Sequence, residues 1–287
     1  MRVHLVVRAA ALVLCAACAA LLGCGDEGSD DPFIQLLERA NDADAELGGR
    51  MVVRGTASFG GSSFSIRGYG QVEANLKRGR FVFVDGGVRQ ETFDDEPFTF
   101  VPVDRAVRAQ VGDEIPRGTK WLKVDQDRLA EEAGTEGLRE LQNLTPSETL
   151  ELLPRLEPKV QPAGSERVRG VATKRYRITL ALPKLAEVMS ERAGRSLGCA
   201  LEGLTGSMRM VLWIDEDDLI RRVRIRLKAG GESLVITSTV TAFERGLRVD
   251  VPRGPTVYDA TNEIAAEARR HRDDGDDACA SKGASTV

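Results

Sequence analysis

The chain has 287 residues, and its 44 acidic and 40 basic residues give a formal net charge of −4. A mildly acidic chain without a basic tail lacks the electrostatic attraction of a nucleic-acid-binding protein, so we expect no nucleic acid partner. The length allows one sizeable core, and no proline- or glycine-rich linker divides it.

An apolar segment with a basic start opens the chain. Arg2 and Arg8 precede the uncharged residues 9–22. A signal-peptide core has about 7 to 15 apolar residues, whereas about 20 are needed to span a bilayer. We therefore predict that residues 1–23 are an export signal, with a transmembrane anchor as the alternative. Removal of this segment takes away two arginines and no acid, which changes the formal charge from −4 to −6.

The apolar segment ends in Leu21-Leu22-Gly23-Cys24 and turns directly into the acidic residues 25–31. This junction resembles the lipobox of bacterial lipoproteins. The resemblance implies cleavage before Cys24, diacylglycerol on its thiol, and a location on the extracytoplasmic face of the cell membrane. Two acyl chains anchor a protein stably and the polar residues cannot pack, so residues 24–31 are predicted to be an acylated cysteine with a flexible tether. Cleavage by the ordinary signal peptidase, followed by secretion, is the alternative.

One helix and a series of strands are predicted next. Asp31 can cap a helix that has Pro32 in its first turn and runs for about 15 residues, until Gly48-Gly49 stops it. Apolar and polar residues then alternate with a period of two, and tight turns such as Asp85-Gly86-Gly87 separate the alternating stretches. The predicted strands lie in residues 64–75, 79–93 (two strands), 98–104, 105–111 and 119–125.

Helices interrupt the strands in the second half. A helical insertion is predicted from about residue 128 to residue 153, with Thr145 as a cap and Pro146 in the first turn. The other predicted elements are strands in residues 157–164, 165–172 and 173–182, a three-strand meander in 207–244 with turns at 215–218 and 229–231, and short helices in 182–194 and 260–270. Residues 271–287 are predicted to be a disordered acidic tail. Hairpins without intervening helices favour an α+β fold with antiparallel pairing.

Four segments of the second half occur in a characteristic order. They are TPSETLELLPRL, GSERVRGVATKRYRITLAL, MVLWIDEDDLIRRVRIRL and VTAFERGLRVDVPRGPTVYDAT. In this order they resemble actinobacterial lipoproteins of the LprG/LppX type, which are similar in fold to the lipoprotein carriers LolA and LolB. The resemblance implies that residues 32–270 form a LolA-like domain, and we expect this domain to be a monomer. Such a domain is a single curved antiparallel β-sheet, or half-barrel, with helices packed across its open, concave side and an apolar cavity for acyl chains.

Large apolar side chains on one face of the predicted strands are candidates for the wall of this cavity. A cavity needs apolar surface that the helices do not fill, and methionine suits adaptable apolar contact. The candidates are Phe59, Phe64, Ile66, Phe81, Phe83, Tyr176, Ile178, Leu180, Met208, Met210, Leu212 and Ile214. An ordinary core filled by the same residues is the alternative.

The strand LIRRVRIRLK, residues 219–228, has a strongly basic face. Its apolar residues alternate with Arg222, Arg224, Arg226 and Lys228. One interpretation is a basic stripe that meets anionic lipid headgroups. The other, which we adopt from the sequence, is a solvated sheet face with acidic neighbours across it.

Enzyme signals are weak. His4 lies in the export signal and His271 beside the acidic tail, so the folded region lacks the histidine of a Ser-His-Asp or Cys-His set. Gly68-Tyr69-Gly70 lacks the third glycine of a dinucleotide loop, and Asp215–Asp218 lacks the alternating ligand spacing of a calcium loop, which favours a turn. We predict no catalytic residue, no metal and no cofactor.

Two cysteines, Cys199 and Cys279, lie beyond the predicted anchor. Export to an oxidising compartment makes a disulfide between them possible. Spacing alone leaves the pairing open.

The sequence therefore predicts a membrane-anchored envelope lipoprotein that is not an enzyme. It would bind a lipid or an acylated molecule for transport or assembly of the envelope, with an envelope transporter or another protein as a possible partner. The alternative is a protein-binding or sensing module on the same fold, without lipid cargo.

Overall fold

The computed structural model describes residues 31–44, 46–59, 61–74, 77–85, 88–105, 107–108, 115–133, 139, 155–193, 205–229 and 232–273. The predictions for the export signal, Cys24, the tether, Cys199, Cys279, most of the helical insertion and most of the acidic tail lie outside these residues.

The described residues form twelve strands and four helices of eight residues or more. The helices are α1 (Pro32–Asp44), α2 (Gln126–Ala133), α3 (Leu182–Ala193) and α4 (Thr261–Asp273). The strands are β1 (Leu47–Phe59), β2 (Ser62–Val72), β3 (Arg78–Asp85), β4 (Val88–Asp95), β5 (Phe98–Pro102), β6 (Trp121–Asp125), β7 (Lys159–Val168), β8 (Val171–Ala181), β9 (Gly206–Ile214), β10 (Ile220–Ala229), β11 (Glu232–Arg245) and β12 (Val257–Asp259).

All twelve strands belong to one sheet, in the order β12-β6-β5-β4-β3-β2-β1-β11-β10-β9-β8-β7. Each neighbouring pair is antiparallel except β12 and β6, which are parallel. The sheet is curved and does not close on itself, and helices pack against it. The predicted α+β half-barrel is confirmed.

One face of the sheet carries a continuous row of apolar side chains, which we call the inner face. Register follows it from Ile178 on β8 to Met210 on β9, then to Ile225 on β10 and Ile236 on β11. Side chains alternate between the two faces along each strand, so the apolar positions predicted from the period of two lie on this face together.

Helices α1 and α3 cover the β8–β10 part of the inner face. Asp31 Oδ1 accepts a hydrogen bond from the Phe33 backbone nitrogen at 2.8 Å, which caps α1 as predicted. Leu37 and Ala40 of α1 and Val188 of α3 are buried in one cluster with the strand side chains. At the other end of the sheet, α2 and α4 pack together beside β6, where Ala130 and Ala265 are buried.

Three predicted boundaries were wrong. Residues 165–172 are not one strand, because Arg169 and Gly170 form the turn between β7 and β8. The described residues of 105–111 form a helical turn, in which Asp104 Oδ1 accepts a hydrogen bond from the Val107 backbone nitrogen at 2.8 Å. Helix α1 ends at Asp44, and Gly48 and Gly49 lie within β1.

Candidate functional site

Seven of the twelve candidate cavity residues belong to the part of the inner face that helices cover. They are Tyr176, Ile178, Leu180, Met208, Met210, Leu212 and Ile214. The ring of Phe33 on α1 lies 5.9 Å from the ring of Tyr176. Side chains of α1 and α3 pack on these residues in one buried cluster.

Four further candidates, Phe64, Ile66, Phe81 and Phe83, lie on β2 and β3. Phe64, Ile66 and Phe83 pack in a second cluster. Among the described residues this cluster consists of strand side chains only. We call it the middle apolar segment and define it as Met51, Val53, Ala57, Phe64, Ile66, Phe83, Leu227, Leu234 and Ile236. Phe59, the last candidate, ends β1, and its side chain is outside the described set.

The side chains of the middle apolar segment differ in burial. Val53 and Ile236 are each 1% exposed. Met51, Phe64 and Phe83 are only partly buried. Partly exposed large apolar side chains on a sheet face are the groups that an apolar ligand would contact.

The glycines of β2 make room for the aromatic rings. A Cβ atom on Gly68 would lie 2.8 Å from Cδ1 of Phe83, and one on Gly70 would lie 2.6 Å from Cδ1 of Phe81. Phe81 and Phe83 are stacked, with ring centroids 6.3 Å apart. The Gly68-Tyr69-Gly70 pattern therefore serves packing in the sheet.

The inner face becomes polar at β4. Thr92 lies opposite Phe81 and Gln90 opposite Phe83. Asp94 follows on the same face and accepts a hydrogen bond from Thr99 Oγ1 at 2.8 Å. This polar row was not among the predicted site residues, because Gln90, Glu91, Thr92 and Asp94 are all polar and only Phe93 hints at which face they share.

Burial raises the pKa of Asp94, against the hydrogen bond from Thr99 and the charge of Arg139, which lower it. The side chain of Asp94 is half-buried. Thr92 Oγ1 is buried and has no hydrogen-bond partner among the described residues. This polar group without a partner thus lies on the strand next to Phe81.

The acidic run Asp215–Asp218 forms the turn between β9 and β10, as predicted. Asp215 Oδ1 accepts hydrogen bonds from the backbone nitrogens of Asp217 at 3.0 Å and Leu219 at 2.9 Å, and Oδ2 pairs with Arg221. Within the described residues no three His, Cys, Asp or Glu side chains come together as metal ligands.

The basic face of β10 does not have the acidic neighbours that we adopted from the sequence. Arg222 pairs with Glu166. Arg224 lies between Val211 and Thr237, and Arg226 lies between Arg209 and Val235. The solvated-face interpretation is therefore wrong in its acidic neighbours beyond Arg222.

A groove of about 260 Å³ lies at the β1–β2 hairpin and is lined by Thr56, Ala57, Ser58, Ser63, Phe64, Ser65 and Ser233. Serines line much of it, and its volume is below the roughly 300 to 1,000 Å³ of usual ligand pockets. In the described part of the chain, no helix is both long enough and apolar enough to cross a membrane.

No protein-family model matches the chain, and no curated protein matches it significantly. Solved structures do match. LppX from Mycobacterium tuberculosis is 15% identical with a TM-score of 0.47, over 77% of this chain and 100% of that one. LprF from Mycobacterium bovis is 15% identical with a TM-score of 0.42, over 79% and 100%. A LolA-superfamily protein from Nitrosomonas europaea is 11% identical with a TM-score of 0.26, over 76% and 94%.

The lipoproteins that the sequence motifs resemble therefore recur among the structural matches. Identities of 15% or less and TM-scores below 0.5 carry no argument about ligands or partners. The order and pairing of the strands establish the fold.

Proposed function

We propose that the protein is a cell-envelope lipoprotein, anchored through Cys24, that binds a lipid or another acylated molecule and shields its chains from water. The middle apolar segment carries this proposal. It spans five neighbouring strands, β10, β11, β1, β2 and β3, or about 19 Å across the sheet. Burying one sixteen-carbon chain would contribute on the order of 10 kcal/mol before entropy costs, so binding needs no covalent chemistry.

The polar row on β4 supports an acylated ligand in particular. Thr92 and Gln90 adjoin Phe81 and Phe83 directly across the strand pair. An acylated molecule has a polar group next to an apolar chain, and the two adjoining surfaces match these two parts. A purely apolar ligand would leave the polar row without partners.

Native mass spectrometry tests the binding. The chain from residue 25 onward keeps every described residue, and it is analysed after incubation with a membrane lipid extract. Phe83→Ser removes an apolar contact on the inner face, and we expect at least a fivefold loss of bound lipid. Val84→Ser is the matched control, because Val84 is the next residue on β3, points to the other face and is 39% exposed.

A second variant protects the test against misfolding. Met51→Trp adds side-chain volume at a partly buried position of the middle apolar segment. We expect it also to lower lipid uptake, while thermal melting shows that the chain is folded. If the unmodified chain takes up no lipid, the carrier function is wrong, and a protein-binding or sensing role becomes the better explanation.

The anchor is tested separately in the full chain expressed in a bacterium. Cys24→Ser should abolish incorporation of labelled fatty acid and release the protein from the membrane fraction. Cys18→Ser is the control, because Cys18 lies in the predicted export signal and would be removed with it. Labelling that persists in Cys24→Ser would contradict the lipobox.

A further inference from the structure

The outer face of the sheet, opposite the inner apolar row, carries a cluster of arginines. Val53 and Ile225 are buried on the inner face, so their chain neighbours Arg54 and Arg224 point outward. We call this cluster the outer basic patch and define it as Arg54, Arg67, Arg177, Arg209, Arg224 and Arg226, all of which are exposed.

Strand register brings the six arginines together. Arg54 lies directly opposite Arg67, and Arg226 lies directly opposite Arg209. Arg224 lies in the row of Arg54, with Thr237 between them, and Arg177 continues that row beyond Val211. The row from β2 to β8 is about 24 Å long, which makes the patch a broad surface.

The patch lacks acidic partners within the described part of the chain. None of its six arginines forms an ion pair or hydrogen bond there. The same strands carry paired arginines nearer their other ends. Arg50 on β1 contacts Glu244 at 2.5 Å, and Arg222 on β10 contacts Glu166 at 3.2 Å.

Fold stability does not account for this arrangement. Like charges directly opposite each other on neighbouring strands destabilise a sheet. The chain as a whole is acidic, yet it places two such arginine pairs on one face. A single-sign patch that opposes folding is suited to a partner of the opposite charge.

Apolar exposure beside the patch identifies the kind of partner. Tyr69 and Val84 are large hydrophobic residues exposed by 48% and 39%, and both lie on the outer face, on β2 and β3. Tyr69 is two residues from Arg67. Arginines with neighbouring exposed apolar groups suit the interface of an anionic bilayer, where the charges meet headgroups and tyrosine sits at headgroup depth.

We propose that the outer basic patch docks the domain on an anionic phospholipid surface. The reach of the tether agrees with this, an argument that rests on the proposed anchor at Cys24. Seven residues separate Cys24 from Pro32, so the fully extended tether holds the domain within about 25 Å of the membrane. Docking through the outer face leaves the middle apolar segment, on the inner face, turned away from that bilayer.

Vesicle cosedimentation tests the proposal with the chain from residue 25 onward, which has no anchor. The vesicles are phosphatidylcholine alone or with about one third phosphatidylglycerol, at low and high salt. We expect binding only to the anionic vesicles, weakened by high salt as charges are screened. The triple variant Arg209→Gln, Arg224→Gln, Arg226→Gln should bind at least tenfold more weakly.

The matched control is the triple variant Arg128→Gln, Arg248→Gln, Arg253→Gln. All three arginines are exposed and lie outside the outer basic patch, Arg128 on α2 and the other two in the segment after β11. This control should bind like the unmodified chain. The patch variant should melt at the same temperature or higher, because the Arg209–Arg226 repulsion is removed. Equal binding by both variants, no preference for anionic vesicles, or capture by polyglutamate in place of vesicles would overturn the proposal. These outcomes are independent of lipid uptake and of acylation at Cys24.

Discussion

At the scale of single residues, one carboxylate organises the connection between the two strands that carry much of the core. The Asp215 side chain is 1% exposed, and both of its oxygens are taken up by protein donors. A buried carboxylate satisfied in this way holds a turn and has no free oxygen position directed at a cation. This explains physically how the four consecutive acids form the turn between β9 and β10.

Asp215→Ala should destabilise the fold by about 3 kcal/mol, because it leaves Arg221 without its buried partner and two backbone nitrogens without acceptors. Urea unfolding followed by circular dichroism measures the change. Asp217→Ala is the control, since Asp217 is exposed, and it should change stability by less than about 0.5 kcal/mol. Equal effects of the two variants would contradict the assigned role.

At the scale of elements, the sequence predicts strands well where alternation and turn residues agree. The β3–β4 hairpin and the β9–β11 meander have both signals. In residues 165–172 only Gly170 suggests a turn, so the sequence predicts one strand where the structure has the ends of two. Arg169 adopts φ 51° beside Gly170 at φ 88°. This is a left-handed turn conformation that the presence of an arginine does not predict.

Packing between segments that are distant in the sequence explains why the end of α1 and the helix cover of the candidate site were not predicted. Gly48-Gly49 is read locally as a helix stop, but Gly48 lies in β1, where a Cβ atom would be 2.6 Å from Leu247 Cβ. The apolar positions of the candidate site follow from the period of two. Which of them helices cover depends on contacts such as Phe33 with Tyr176, between residues far apart in the sequence.

The close approach of β3 to β2 gives a prediction for the middle of the sheet. Gly70→Ala should destabilise the fold by about 1 to 3 kcal/mol, because its Cβ atom would lie 2.6 Å from the Phe81 ring and 2.9 Å from the Arg80 carbonyl oxygen. Denaturant unfolding measures the loss. Gly49→Ala is the matched control, since its nearest atoms would be 3.9 Å away, and it should be neutral or slightly stabilising. A neutral Gly70→Ala would show that the ring moves freely.

At the scale of the whole molecule, the pH dependence of stability reflects two carboxyl groups whose pKa values shift in opposite directions on folding, Glu166 and Asp94. The Trp213 hydrogen bond, at 3.0 Å, is the main cause of the lowered pKa of Glu166, and Arg222 and Arg175 add to it against burial. Glu166 therefore stabilises the fold above its unfolded pKa, and this contribution is lost as pH falls through the lower folded value. Asp94 has a raised pKa, so its effect on folding has the opposite sign.

Asp94→Asn isolates the effect of the raised pKa of Asp94 on stability. Between the unfolded pKa of Asp94, about 4, and its higher folded value, the native state binds more protons than the unfolded state, so this residue lowers stability as pH rises. The asparagine variant lacks that loss. We expect it to unfold at higher urea concentration than the unmodified chain at pH 7, with the difference disappearing near pH 3.

Glu166→Gln should differ with the opposite sign, being less stable at pH 7 and unchanged in acid. Parallel pH profiles for Asp94→Asn and the unmodified chain would mean that the inner face at β4 is open to water, and the polar end of the proposed ligand site would then be hydrated.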